Sequence, residues 1–206
     1  IEEKILIKYF TKRIIQVANQ NNAEIIHAHT PYRVGLPALK AARKLGLPFV
    51  YEMRGMWEET AVANGRWIRN GPAYRRFQNY ETKVLCKADS VICISETLKK
   101  EAISRGVNPE KITVVTNAVE KNMSEKKPKS SSLKSAKESL KLSNSTKVIG
   151  YIGSLREMEG VDLTAKAVAK LVEKGHDVRL FVLTGENGQE ELRALSKKLD
   201  IADKST

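Results

Sequence analysis

Long apolar runs are missing from this chain of 206 residues. None approaches the roughly 20 residues that a helix needs to cross a bilayer, and no signal-peptide pattern opens the sequence. Cysteine is scarce: Cys86 and Cys93 stand seven apart without a C-x-x-C pair. That excludes a disulfide framework and points to a reducing, cytoplasmic setting with both thiols buried as small apolar groups. Histidine is limited to His27, His29 and His176. No cysteine or paired carboxylate accompanies them in sequence, so no metal-ligand set is legible and none is expected. The phosphate fingerprints G-x-G-x-x-G and G-x-x-x-x-G-K-[ST] are absent too.

What is present suffices for a packed core, since 41% of residues are hydrophobic. The net charge is +12, and its distribution is uneven. Residues 1–120 carry +7, residues 121–147 carry +6 and residues 148–206 carry −1. Nucleic acid, anionic lipid and phosphorylated substrates are therefore the admissible partner classes. Lys and Arg are not interleaved with exposed aromatics and no helix-turn-helix pattern occurs, which argues against nucleic acid. A basic, non-catalytic α/β module that grips nucleic acid or an anionic membrane is the alternative reading.

Along the chain, strand and helix patterns alternate. An opening amphipathic helix sets Leu6, Phe10, Ile14 and Val17 on one face and Lys4, Lys8 and Lys12 on the other. That lysine face is either simply solvated or lies near anionic lipid. Strands are expected near 24–29, 47–53, 89–95 and 111–117, with helices near 34–45, 72–88 and 96–105 between them. Residues 120–146 are Lys/Ser-rich and read as a linker, in which Leu133, Ala136 and Leu140 form one short docked helix. The alternation restarts with strand 147–153, helix 161–174, strand 177–185 and helix 189–199. The fold class is α/β, with two Rossmann-like parallel-sheet domains, 1–119 and 147–206.

Ligands of open parallel sheets collect beyond the carboxyl ends of the strands. Four such ends here are polar or glycine-rich: His29-Thr30, Arg54-Gly55-Met56-Trp57-Glu58, Ser95-Glu96 and Gly153-Ser154. His27 and His29 share a face by the strand period. His27 reads as a satisfied core group. His29, just before Pro31, sits at the rim, where a neutral imidazole accepts a hydrogen bond from a hydroxyl. Glu81 falls inside an apolar stripe of Phe77, Val84, Leu85 and Ala88, so a partner is required, either Arg54 or a set of backbone N–H groups. The loop "GYIGSLREMEGVDL" opens a helix and lets backbone N–H groups approach a phosphate.

"IIHAHTPYRVGLPALKAARKLGLPFVYEMRGMWEE", "ETKVLCKADSVICISE", "ITVVTNAVE" and "GYIGSLREMEGVDLTAKA" resemble, in order, landmarks of the family 4 (group 1) retaining glycosyltransferases. The form "YEMRGMWEE" is similar to the branch that builds bacterial surface polysaccharides. The resemblance implies a GT-B fold and transfer of a sugar from a nucleotide-diphosphate donor to a hydroxyl, with retention and without a metal. It implies that His29 contacts the donor sugar and reacting centre, and that Thr30, Arg54 and Trp57 line the acceptor side. Gly153, Ser154, Arg156, Gly185 and Glu186 would hold the donor. Implied partners are a nucleotide sugar and a glycan or lipid-linked acceptor, at the inner face of the cell membrane, with no nucleic acid.

The departures are specific. Ser154 and Glu159 stand where many members carry Arg and Lys on the leaving diphosphate, leaving Arg156 as a substitute for one of them. The family's first glycine-rich loop would precede Ile1 and its E-x7-E motif would follow Thr206, so both domains are expected to be incomplete. Unpaired sheet edges then favour self-association, and the 206 residues alone are expected to transfer little or no sugar.

Overall fold

The computed structural model describes residues 2–121, 130–185 and 187–205, with backbone alone over 130–133. The chain forms two compact units, Ile1–Ala118 and Val119–Thr206.

In the first unit, α1 (Glu2–Gln20) leads into β1 (Ile26–His29), α2 (Tyr32–Leu45) and β2 (Phe49–Met53). Then follow α3 (Trp57–Ala63), α4 (Pro72–Lys87), β3 (Ser90–Cys93), α5 (Glu96–Ser104) and β4 (Ile112–Val114). The sheet is parallel in the order β1-β2-β3-β4. Its register sets His29 opposite Glu52 and Met53 opposite Cys93. Right-handed crossovers require a helix between parallel neighbours, and α2, α4 and α5 supply them. Pro72 opens α4 where its missing N–H has no cost. Gly46, at φ +67°, closes α2 in the left-handed conformation.

Phe49, Tyr51, Met53, Val84, Leu85, Val91 and Cys93 form the floor of the core. Gly35 of α2 lies on the Tyr51 ring: a Cβ there would meet Tyr51 Cε2 at 2.4 Å and Val84 Cγ1 at 2.9 Å. Both neighbours are fully buried and cannot retreat. Gly35→Ala is therefore expected to destabilise the unit by about 1–3 kcal/mol through overpacking. Urea denaturation checks this, and an unchanged midpoint would contradict the close packing.

Three sequence expectations are corrected here. The buried face of α1 is Ile7, Thr11 and Ala18, with Ile14 half-buried, whereas Leu6, Phe10 and Val17 are exposed. Apolar residues occupy both sides of this helix, and α2 selects the side whose small residues allow close approach; Thr11 Oγ1 donates to Ile7 O at 2.7 Å. Cys86 is exposed and only Cys93 is buried. The segment after β2 winds into α3, a helix too short for periodicity to reveal.

The second unit contains α6 (Ser130–Ser139), β5 (Lys147–Ile152), α7 (Val161–Glu173), β6 (Val178–Leu183) and α8 (Gln189–Lys198). The tract read as a linker thus contributes a helix; of the three residues expected to dock, Ala136 on it and Leu140 just after it are exposed, and the Leu133 side chain lies outside the described residues. Lys137 ties α6 to the start of β5 by donating to the carbonyls of Asn144 and Thr146, both at 2.8 Å. β5 and β6 pair in parallel from Lys147↔Val178 to Ile152↔Leu183. Ala165, Val168, Val178, Leu180 and Ile201 form the core. Val148, Ile152 and Leu183 remain exposed.

Candidate active site

The carboxyl ends of β1 and β2 bring five polar residues together. β1 alternates buried Ile26 and Ala28 with exposed His27 and His29. The sequence expectation that His27 is a core group is therefore corrected: its side chain is 39% exposed, against 48% for His29. The two rings stack at 4.9 Å. Glu52 of β2, only 13% exposed, reaches both: its Oε2 lies 3.2 Å from His27 Nε2 and 3.4 Å from His29 Nδ1. Strand register rather than sequence spacing supplies Glu52 to both rings.

Thr30 and Arg54 complete the cluster. Thr30 is buried, and its Oγ1 accepts from Arg54 N at 3.2 Å, while Thr30 N donates to Glu52 O at 2.9 Å. The Arg54 guanidinium donates from Nη1 to Glu52 Oε1 at 3.1 Å. Arg54 therefore does not serve Glu81. Trp57 opens α3 with its ring exposed.

Glu81 takes the other option left open by the sequence. It is buried; Oε2 accepts from the Tyr32 backbone N–H at 2.7 Å and Oε1 accepts from the Tyr51 hydroxyl. Burial pushes its carboxyl up, against the pull of these two hydrogen bonds. Burial, reinforced by Glu81, likewise raises the Tyr51 phenol. The first-turn amide of α2 at Tyr32, two residues beyond Thr30, is thus already engaged by the Glu81 side chain.

A second buried cluster was invisible in the sequence. Glu58, fully buried at the start of α3, accepts from Arg105 Nη2 at 2.6 Å. Arg105 Nε also donates to Glu101 at 2.8 Å. Burial pulls the guanidinium down, but coulombic attraction to Glu58 and the hydrogen bond it donates to Glu101 together outweigh this and raise it further. Nothing in the spacing of Glu58 and Arg105, 47 residues apart, announced the pair.

In the second unit, Gly153 follows β5 at φ +158° and donates its N–H to Leu183 O at 3.1 Å. A Cβ on it would meet the Tyr151 hydroxyl at 2.9 Å. That hydroxyl donates to Ser154 O at 2.6 Å, and Ser154 Oγ accepts from Arg156 Nε at 3.0 Å. Arg156 Nη2 stands 3.6 Å from Glu159, so part of its charge is met within the loop. Gly160, at φ +68°, starts α7. Gly185 O accepts from Gln189 at 3.0 Å, and Glu186 lies outside the described residues. Gly188, missed by the sequence reading, sits against Leu155: a Cβ there would come within 2.8 Å of Leu155 Cβ. The loops after β5 and β6 therefore meet, which brings the Gly153 and Gly185 turns to one end of the small sheet.

One further surface stands out. A groove of about 660 Å³ on the helical layer is lined by Lys4, Lys8 and Lys12 of α1, Lys40, Arg43 and Lys44 of α2, and Lys83 and Lys87 of α4. Leu36 and Leu39 also line it; no carboxylate is among its described lining residues, and Arg43 is paired with Asp89.

Two α/β units with parallel sheets and polar strand ends define a protein of the GT-B class. Residues 3–122 match Glycosyltransferase Family 4, and residues 134–206 match Glycosyl transferases group 1. The chain belongs to the family 4, group 1 glycosyltransferases. It is 22% identical over 193 residues to the alpha-monoglucosyldiacylglycerol synthase of Streptococcus pneumoniae (strain ATCC BAA-255 / R6), covering 93% of this chain and 43% of that protein. Among solved structures it is similar to Anabaena Alr3699/HepE in complex with UDP-glucose, with TM-score 0.70, 16% identity, and 95% of this chain and 50% of that chain covered. It is also similar to a glycosyltransferase from Rickettsia africae ESF-5, with TM-score 0.67, 16% identity, and coverage of 97% and 50%. The chain spans about half the length of these relatives or less.

Proposed function

We propose that the whole protein transfers a sugar from a nucleotide-diphosphate donor to a hydroxyl of a lipid-linked acceptor, with retention of the anomeric configuration. The observation that carries this is family membership joined to the polar cluster of His29, Thr30 and Arg54 at the ends of β1 and β2. His29 is assigned to a hydroxyl of the donor sugar, and Thr30, Arg54 and Trp57 to the acceptor side. Gly153, Ser154, Arg156 and Gly185 are assigned to the diphosphate, a division supported by the Glu81 side chain that already holds the Tyr32 amide of α2.

Chemically, the acceptor oxygen forms a bond to the anomeric carbon while the carbon–phosphate oxygen bond breaks. The electron pair leaves on the diphosphate, whose oxygen takes the acceptor proton on the same face. Backbone N–H groups and Arg156 offset the charge that develops there. No step in this scheme calls for a metal. A lipid acceptor is supported by the name of the pneumococcal relative, an alpha-monoglucosyldiacylglycerol synthase, and retention by the family resemblance.

The test is product analysis. A full-length enzyme given a panel of nucleotide sugars and diacylglycerol is expected to form a glycolipid whose anomeric proton coupling matches the donor. An inverted product would reject retention, and glycosylation of soluble glycans alone would reject the lipid acceptor.

Contact with an anionic membrane accompanies this reading and is supported by the basic groove, since each Lys or Arg near such a surface contributes on the order of 1 kcal/mol. No helix among the described residues is long and apolar enough to cross a membrane. Reversing Lys8, Lys12 and Lys40 to Glu is expected to lower binding to phosphatidylglycerol vesicles at least about 100-fold. Sedimentation reads this directly, and equal pelleting of variant and parent would contradict it. Exposed sheet residues such as Val148 and Ile152 support self-association as a companion property.

A further inference from the structure

His27 and Glu52 stand beside His29 and have no assigned part in sugar transfer, and the three together form a donor set. Each offers one ligand atom, and the three atoms all lie within 4.8 Å of one another. Imidazole nitrogens and carboxylate oxygens hold a zinc-sized cation at about 2.0–2.2 Å. Neighbouring donors around such an ion then stand about 3.0–3.5 Å apart, by the geometry of tetrahedral and octahedral shells. Glu52 Oε2 is already 3.2 Å from His27 Nε2 and 3.4 Å from His29 Nδ1.

We propose that His27, His29 and Glu52 bind one late first-row divalent cation of the zinc class, with water completing the shell. The two imidazoles are fixed on one face of β1 by the strand period, and the parallel register delivers the carboxylate from β2. Arg54 engages the other carboxylate oxygen, Oε1, at 3.1 Å. It orients the group from the outer shell and leaves Oε2 for the ion. Two imidazoles with a single carboxylate favour zinc, nickel, cobalt or copper over magnesium or calcium, which prefer all-oxygen shells. Partial exposure of both rings gives the ion a path in from solvent.

The cation and a sugar hydroxyl would compete for His29, so binding makes the site a point of inhibition by metal. The binding claim itself does not depend on the sugar-transfer reading.

Zinc chloride titrated into the 206-residue chain, followed by calorimetry and by the imidazole NMR signals, tests it. One saturable equivalent is expected, with the His27 and His29 signals moving and the His176 signal unmoved. His27→Ala and Glu52→Gln are each expected to weaken the affinity at least tenfold, and His176→Ala to leave it unchanged. His27→Ala alters an exposed side chain, so it decides the matter if Glu52→Gln fails to fold. Absence of saturable binding, or affinity retained in His27→Ala, would overturn the proposal.

Discussion

Replacing Arg105 with alanine is expected to destabilise the first unit by about 3–5 kcal/mol, because it leaves a buried charge without its counter-ion. Glu58 is fully buried and Arg105 nearly so, and the 2.6 Å contact between them is made out of water. Removing the guanidinium strands the buried Glu58 carboxylate of α3 and also takes from Glu101 of α5 its i,i+4 ion pair. A small domain has only about 5–15 kcal/mol of stability in total, so the variant is expected to be largely unfolded in mild denaturant. A buried ion pair can be replaced by apolar groups of similar volume at little cost. The double variant Glu58→Leu/Arg105→Met is therefore expected to be more stable than Arg105→Ala. Urea titrations of the three proteins check both statements. A loss below about 1 kcal/mol for Arg105→Ala would be the behaviour of an exposed pair and would contradict the burial seen here.

His29→Ala in the full-length enzyme is expected to lower turnover at least about tenfold, a floor set beneath the roughly 100- to 10,000-fold that a positioned general acid–base contributes. The residue sits at the end of β1 with its ring exposed, next to Thr30, whose hydroxyl fixes the backbone of Arg54. An imidazole that contacts the sugar mainly as the bond breaks should change kcat more than KM. Steady-state rates measured beside His176→Ala, an exposed residue of the second unit, separate a local effect from a general one. Unchanged turnover in His29→Ala would remove it from the mechanism.

Much of this was legible before any coordinates. Apolar runs bounded by Pro31, Gly46, Pro72 and Gly106 placed the helices and strands of the first unit, and the strand-tip rule singled out His29, Thr30 and Arg54. The failures share a physical cause. Which side of α1 packs depends on the neighbour it meets, and Leu6, Phe10 and Val17 lose to Ile7, Thr11 and Ala18 because α2 approaches closely. Glu52 joins the histidines through the offset between adjacent strands, and Arg105 finds Glu58 through helix packing; neither relation leaves a trace in linear spacing. Glu81 was recognisable as needing a partner from its apolar neighbours alone, but that the partner would be Tyr32 N–H rather than Arg54 depended on where α2 begins.

Hydrogen–deuterium exchange of the full-length enzyme, with and without a nucleotide sugar, is the most direct measurement of where the donor binds. Slower exchange is expected in two stretches, around His29 and over 153–156. Protection confined to the lysine groove of α1, α2 and α4, or no protection at all, would contradict the assignment of the strand ends as the place where sugar is transferred.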